Sequence, residues 1–313
     1  VESITGLQYI RKFNLLLADD SGQGLDFSGL KVVFSIKKTD HQTPNTADIR
    51  IYNLNQMTVE KAKKEFTRVV VQAGYESNFG VIFDGTVKQY RTGKENSTDT
   101  YLDISAGDGD VAYNYAVVNG TLHAGATQLE QIQLATLTMQ QQGGIRPGFI
   151  SNDIAGAPLA RGKVMYGPAR DYVRQSARSS GATWSIQDGK LQVLKTGELL
   201  PVQAVYLNSK TGLVGTPEQT NDGIKARCLL NPMLKIGSKI KINEASIQTA
   251  KLPDTTKDAA PNKMPSIAAD GAYRILSIDF TGDTFGNDWY CDFICIDVDE
   301  AAPEKKQVKD AED

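Results

Sequence analysis

The chain has 313 residues, 40% hydrophobic and 23% charged, the composition of an ordinary globular protein with room for two or three domains and a core in each. Its formal charge of −3 disfavours a protein that grips nucleic acid through backbone phosphates. No apolar run approaches the roughly 18 residues that span a bilayer, and VESITGLQYIRKF at the N-terminus lacks the apolar core of a signal peptide, so the expectation is a soluble chain without stable membrane insertion.

In chain order, residues 9–18 and 25–38 read as two strands joined by a polar, glycine-containing turn. The clearest architecture lies at 47–87, which goes strand, short helix, strand, turn, strand. Asp48, Arg50 and Tyr52 alternate with Ile49 and Ile51, the period-2 pattern of a strand with two different faces. Asn55 is placed to cap a helix whose Val59, Ala62 and Phe66 share one side, and the β-branched run 69–75 returns. Residues 81–91 and 99–106 continue the sheet around the turn TGKENST, so an antiparallel barrel or sandwich is expected over domain 1–109.

Composition then shifts toward helix, and 110–198 reads as a small α+β domain. Thr127 and Glu130 form a capping box ahead of Leu129, Ile132, Leu134, Leu137 and Met139, and Gly143-Gly144 stops that helix. A second helix starts after Gly167-Pro168 and ends at Gly181, with Ala169, Tyr172, Val173, Ser176, Ala177 and Ser180 on one side. Strands at 183–186 and 191–194 follow, joined through Asp188-Gly189, a strong hairpin signal. The remainder, 199–300, turns β again. Strands are expected at 204–207, 223–230, 237–243, 273–280 and 289–298, with a long proline-bearing loop at 244–271 and a charged flexible tail at 301–313.

Residues that could carry chemistry are few. His41 and His123 stand apart from any acid or cysteine in a known arrangement, and there is no G-x-S-x-G elbow, H-E-x-x-H or P-loop. Asp108-Gly109-Asp110 has the alternating oxygens of a calcium loop, but Ala112 and Tyr113 stand where ligand and glycine belong, which leaves a turn. Cys228, Cys291 and Cys295 read as reduced core residues, and on one strand the last two lie about 13 Å apart, too far for a disulfide. Trp184 and Trp289 sit in strand patterns and are read as core. The expectation is no enzyme, no cofactor and no metal. One charged feature stands out: Arg170, Arg174 and Arg178 recur every four residues on the outer side of the second helix, with Arg161 shortly before it, either a solvated face or a partner contact through bidentate pairing.

At this point several stretches match a known family. RIYNL at 50–54, QAGY at 72–75, IFDGTV at 82–87 and ISAGDGD at 104–110 resemble the N-terminal half of bacteriophage tail baseplate hub proteins. DGIKARCLLNPMLKIGSKIKI at 222–242 and GAYRILSIDFTGDTFGNDWYCDFICI at 271–296 look like the same family's closing domain. The resemblance implies a mainly β fold in which two tail-tube-like antiparallel β-barrels flank the α+β domain. Three such subunits would form a pseudo-sixfold ring, a symmetry adaptor between the sixfold tail tube and the threefold central spike. It implies a homotrimer in contact with tail tube protein, central spike protein, tape measure protein and other baseplate proteins, in the virion tail after assembly in the bacterial host cytoplasm, with DNA present only in transit through the lumen. The acidic balance suits a lumen that should not retain a polyanion. Alternatives that stay open are the equivalent hub of a phage-derived secretion or bacteriocin particle, a tail-associated cell-wall hydrolase and a carbohydrate-binding module.

Overall fold

The computed structural model describes residues 8–19, 22–152, 154, 156–242, 247–249 and 271–298. Most of the expected loop at 244–271 and the whole expected tail at 301–313 therefore lie outside the described residues. Strand β1 (Arg11–Ala18) is followed by the short β2 (Gly24–Asp26) and by β3 (Val32–Thr39), so the single strand expected at 25–38 is broken in the middle. Phe27 turns inward there and Leu30 N–H closes a turn on its carbonyl at 3.1 Å. Next come β4 (Thr46–Tyr52) and helix α1 (Gln56–Glu65), whose first turn is capped as expected: the Asn55 side chain accepts from Met57 N–H at 3.0 Å. The strands β5 (Arg68–Tyr75), β6 (Asn78–Lys94) and β7 (Thr100–Gly107) complete this part. The β5–β6 turn is tighter than the sequence suggested, with Tyr75 directly opposite Asn78.

The middle of the chain holds more strand than expected. Helix α2 (Asp110–Tyr115) begins at the Asp-Gly-Asp turn, and β8 (Val117–Leu122) precedes α3 (Gln128–Gly143) and β9 (Arg146–Ile150). Thr127 caps α3, accepting from Glu130 N–H at 3.3 Å. The buried face of α3 is Ile132, Ala135, Thr136 and Met139, while Leu137 is exposed, so the expected leucine stripe is turned partly to solvent. Strand β10 (Lys163–Pro168) pairs antiparallel with β8 and leads into α4 (Ala169–Ser179), which buries Ala169, Val173, Ser176 and Ala177 as expected. β11 (Ala182–Gln187) and β12 (Lys190–Lys195) form a two-residue hairpin in which Asp188 and Gly189 have φ of 53° and 71°, the left-handed pair such a turn requires. Trp184 fills the centre of this core.

The closing part comprises β13 (Val205–Leu207), β14 (Leu213–Thr220), β15 (Gly223–Leu229), β16 (Lys239–Ile242), β17 (Gln248–Thr249), β18 (Ala272–Asp283) and β19 (Trp289–Asp297). Strand β14 escaped the sequence reading because Gly215 and Pro217 interrupt it, and it carries a register shift there. All three cysteines are free and buried, with Cys228 directly opposite Cys291 across β15 and β19.

Strands from both ends of the chain join in one 14-stranded sheet. The join is β18 against β3, antiparallel, with residues 277–283 running opposite 33–39. Strand β16 covers only the start of β18, so the rest of that edge is left for β3. One hydrophobic cluster fills the β region and draws on both ends, from Leu15 to Ala106 and from Leu207 to Cys295. The strand order repeats. At the N-terminal end neighbours run β3-β4-β7-β6-β5, and at the C-terminal end β14-β15-β19-β18-β16, every pair antiparallel.

Candidate functional site

Alternation along each strand sends one set of side chains into the core and the other onto the opposite face of the sheet. On β4, Ile49 and Ile51 are buried while Asp48 and Arg50 look out, and on β7 Leu102 and Ile104 are buried while Tyr101 and Asp103 look out. Arg50 stands opposite Asp103 in the ladder. Its Nε and Nη2 donate to the two carboxylate oxygens at 2.7 and 3.0 Å, and its guanidinium lies 4.0 Å from the centre of the Tyr101 ring. The same trio recurs at the other end. Arg227 stands opposite Asp292, donates to it at 2.8 and 2.9 Å and lies 5.6 Å from the Tyr290 ring centre. Hydrogen bonding to these carboxylates pushes both guanidinium groups still further up from their ordinary range.

Several other charges on this face also stand against partners, while Arg91 on β6, across from Asp103, is exposed. Lys37 is opposite Asp279 where β3 meets β18, Lys225 is opposite Glu218 across β14 and β15, and Ser105 donates to Asp48 at 2.8 Å. The face is thus polar and largely neutralised in place. Periodicity alone does not single it out, although the signal is visible as Tyr-x-Asp at 101–103 and again at 290–292, each set beside an arginine on the neighbouring strand of the sheet, β4 and β15.

A second cluster joins the middle of the chain to the β region. Asp108 is fully buried at the end of β7 and accepts from the backbone N–H groups of Asp188 and Gly189 at 2.6 and 2.8 Å. Asp188 in turn accepts from Lys38 and from Lys235, the latter at 3.2 Å. Asn45 donates to Ile186 O at 2.8 Å and to Gln187 Oε1 at 3.0 Å, and Gln187 donates to Thr39 O at 2.8 Å. The β11–β12 turn is therefore plugged into a socket built from both ends of the chain. Burial pushes the Asp108 carboxyl up to about 6, against the downward pull of Lys38 and the two backbone N–H groups. Asp188 goes the other way: burial opposes its charge, but Lys38 and Lys235 hold its carboxyl below the usual range.

The two shifts have opposite consequences. An Asp108 carboxyl above the ordinary 3.8 keeps a proton that the unfolded chain releases between about pH 4 and 6. Its contribution to stability is full below that window and is lost as pH rises through it, on the order of 3 kcal/mol at most. The Asp188 contribution is present above pH 3.8 and is lost as pH falls. Denaturant midpoints of the wild type and Asp108→Asn between pH 4 and 7 separate the two. The wild type should lose stability relative to the variant as pH rises, and a constant gap would show that Asp108 does not titrate in this window.

The four arginines do not form one free face. Arg170 is half-buried, donates to Tyr113 O at 3.0 Å and lies 4.9 Å from the Tyr113 ring centre, which ties α4 to α2. Arg174 is half-buried and donates to Gln42 at 2.6 Å and to Asp171 at 3.0 Å, tying α4 to the loop after β3. Arg161 and Arg178 are exposed. His41 and His123 are exposed, and among the described residues no group of three or more His, Cys, Asp or Glu side chains is arranged to hold a metal ion.

Solved structures of similar fold include the 43 kDa tail protein of prophage MuSo2 from Shewanella oneidensis (TM-score 0.58, 10% identity, covering 92% of this chain and 99% of that one). The tail protein from Neisseria meningitidis MC58 is similar at TM-score 0.55 and 10% identity, covering 92% and 97%. The E. coli c3393 protein, described as a component of the type VI secretion system with structural similarity to T4 tail proteins gp27 and gp5, is similar at TM-score 0.51 and 9% identity, covering 88% and 76%. No curated protein sequence matches the chain. A family model described as baseplate hub gp41 matches residues 17–247, and the chain belongs to that family.

Proposed function

We propose that the chain is the structural hub subunit of a phage tail baseplate, three copies forming a ring that joins a sixfold tail tube to a threefold central spike. The observation that carries this reading is the repeat: one strand order used twice in each chain, with the same Arg-Asp-Tyr trio at the same ladder position in both halves. Two copies of one wall unit in each of three subunits supply the six quasi-equivalent positions a sixfold tube needs. In this reading each half is a tube-like β-barrel domain, 1–109 and 199–300, and 110–198 is the α+β domain docked on them by the Asp108–Asp188 socket.

The neutralised sheet face then lines the lumen. DNA in transit meets Arg50 and Arg227 already held by carboxylates, so no continuous row of free cations retains the phosphates. Tube, spike, tape measure and other baseplate proteins are the partners, and the exposed Arg161 and Arg178 belong to a contact with one of them. The role is structural, with no reaction assigned to the chain. The likeness in fold to a type VI secretion component favours, as second reading, the hub of a phage-like secretion particle, which differs in its neighbours and not in its ring. Mass measurement on the purified chain, alone and mixed with tube and spike proteins, tests both readings. A three-copy species is expected, and a chain that remains monomeric in every mixture would sink them.

A further inference from the structure

The turn between β18 and β19 holds a large apolar side chain out in solvent: Phe285 is 73% exposed. The turn itself is tied down on three sides. Thr284 N–H donates to Val32 O at 3.0 Å, the Thr284 hydroxyl accepts from Val32 N–H at 3.0 Å, and it donates to Leu30 O at 3.2 Å. The guanidinium of Arg11 donates to Gly286 O and Asn287 O at 2.7 and 3.0 Å. The Asp283 carboxylate accepts from Phe285 N–H and Gly286 N–H, both at 2.9 Å. Ordering such a side chain on binding costs little, because the backbone that carries it is already fixed.

Phe285 stands between two lobes of one groove, of about 460 and 280 Å³, both lined by Gly29 and Leu30. Arg11, Lys12 and the exposed Phe79 bound the larger lobe. Arg11 donates to carbonyls, and among the described residues no carboxylate pairs with it. Lys12 lies 3.5 Å from Glu76 with both side chains exposed, a pairing that water screens. The smaller lobe has the opposite sign: Glu95 and Asp99 outnumber Lys31, which sits 4.5 Å from the Tyr52 ring centre. Gly29 keeps the passage between the lobes open. A Cβ there would meet nothing within 4 Å and its backbone is outside the left-handed region, so neither packing nor conformation calls for glycine.

Resting on the hub reading, we propose that this groove seats an extended segment of another tail protein, one that carries a carboxylate, an apolar side chain and a cation in that order. The carboxylate meets Arg11 and Lys12, the apolar side chain crosses Gly29 and lies against Phe285 and Leu30, and the cation meets Glu95 and Asp99. The aromatic contact supplies most of the affinity and the two charged ends fix the direction in which the segment lies. A segment of a single sign is repelled at one lobe or the other. The groove is walled by turns and not by a strand edge, so the segment is inserted between turns and adds no strand to the sheet.

The test offers purified tube protein and purified spike protein, one at a time, to the full chain carrying a photoreactive benzophenone amino acid in place of Phe285. One of the two should crosslink to position 285 through a segment in which an acid and a Lys or Arg flank an apolar residue. Gly29→Tyr, which fills the passage, and Phe285→Ala should each weaken binding of that protein about tenfold or more. Neither should move the melting temperature, because both positions are exposed. Crosslinks to neither protein, crosslinks confined to a second copy, a crosslinked segment without the two charges, or unchanged binding by both variants would each overturn the groove. Where a three-copy species persists under those results, the ring stands without it. A chain that stays monomeric and binds neither protein overturns both.

Discussion

Replacing Trp289 by alanine should cost about 3–5 kcal/mol of folding stability, the range for truncating a large buried aromatic, and the loss should fall on both ends of the chain together. Trp289 is 1% exposed and belongs to β19, yet its ring, cation and hydrogen-bond partners come from the N-terminal strands. Its ring packs edge-on against Phe34 and Phe13, with centroids 5.6 and 6.3 Å away, and its Nε1 donates to Gly74 O at 3.3 Å. The Arg11 guanidinium lies 5.4 Å from the ring centre while donating to Gly286 O and Asn287 O at 2.7 and 3.0 Å. Gly282 completes the seat: a Cβ there would stand 2.3 Å from the Phe34 ring and 3.0 Å from Trp289 itself. Because the β region has one core, calorimetry should show its unfolding transition moving down intact by many degrees. If the N-terminal strands kept their wild-type melting while the C-terminal ones unfolded, the shared core would not be the cooperative unit.

The second large effect is expected from Asp188→Asn. Asparagine keeps the shape and tolerates the left-handed backbone at φ 53°, so the change removes little except charge. Lys38, whose side chain is 4% exposed, then loses the carboxylate that compensates it, and Lys235 loses the same partner. Breaking a buried pair by removing one member costs about 3–5 kcal/mol. Hydrogen exchange should locate the loss at the β11–β12 hairpin, where the middle region is plugged into the β region. Adding Lys38→Met should recover part of the stability, because the stranded charge is then gone. No recovery would mean that the Asn side chain, rather than the uncompensated lysine, is the source of the cost.

Much of the local architecture was legible in the chain. The alternation at 48–52, the Asn55 and Thr127 caps, the small-residue face of α4 and the Asp-Gly hairpin all depend on neighbours within a few residues, so period and capping chemistry expose them. Strands with weak local signals were missed. β14 is interrupted by Gly215 and Pro217, and β8, β9 and β10 are short strands set among helices, so they exist because a partner strand satisfies their backbone. The arginines on α4 show the same limit from the other side: spacing placed them on one helix face, but Gln42 and Tyr113 arrive from elsewhere in the chain and occupy two of them.

The sequence by itself determined the β-rich class, the separate character of the middle region, the buried tryptophans and cysteines, and the family, since those follow from composition, period and short ordered motifs. Only the tertiary structure decided that the two ends share one sheet and one core, and that an Arg-Asp-Tyr trio neutralises the same ladder position twice. Each of these depends on contacts between residues far apart in the chain, such as Arg50 with Asp103, 53 positions away, and Val33 with Asp283, 250 positions away. A period of two states that a strand has an inside and an outside. Which strand lies beside it is settled by hydrogen bonding and burial across the whole chain.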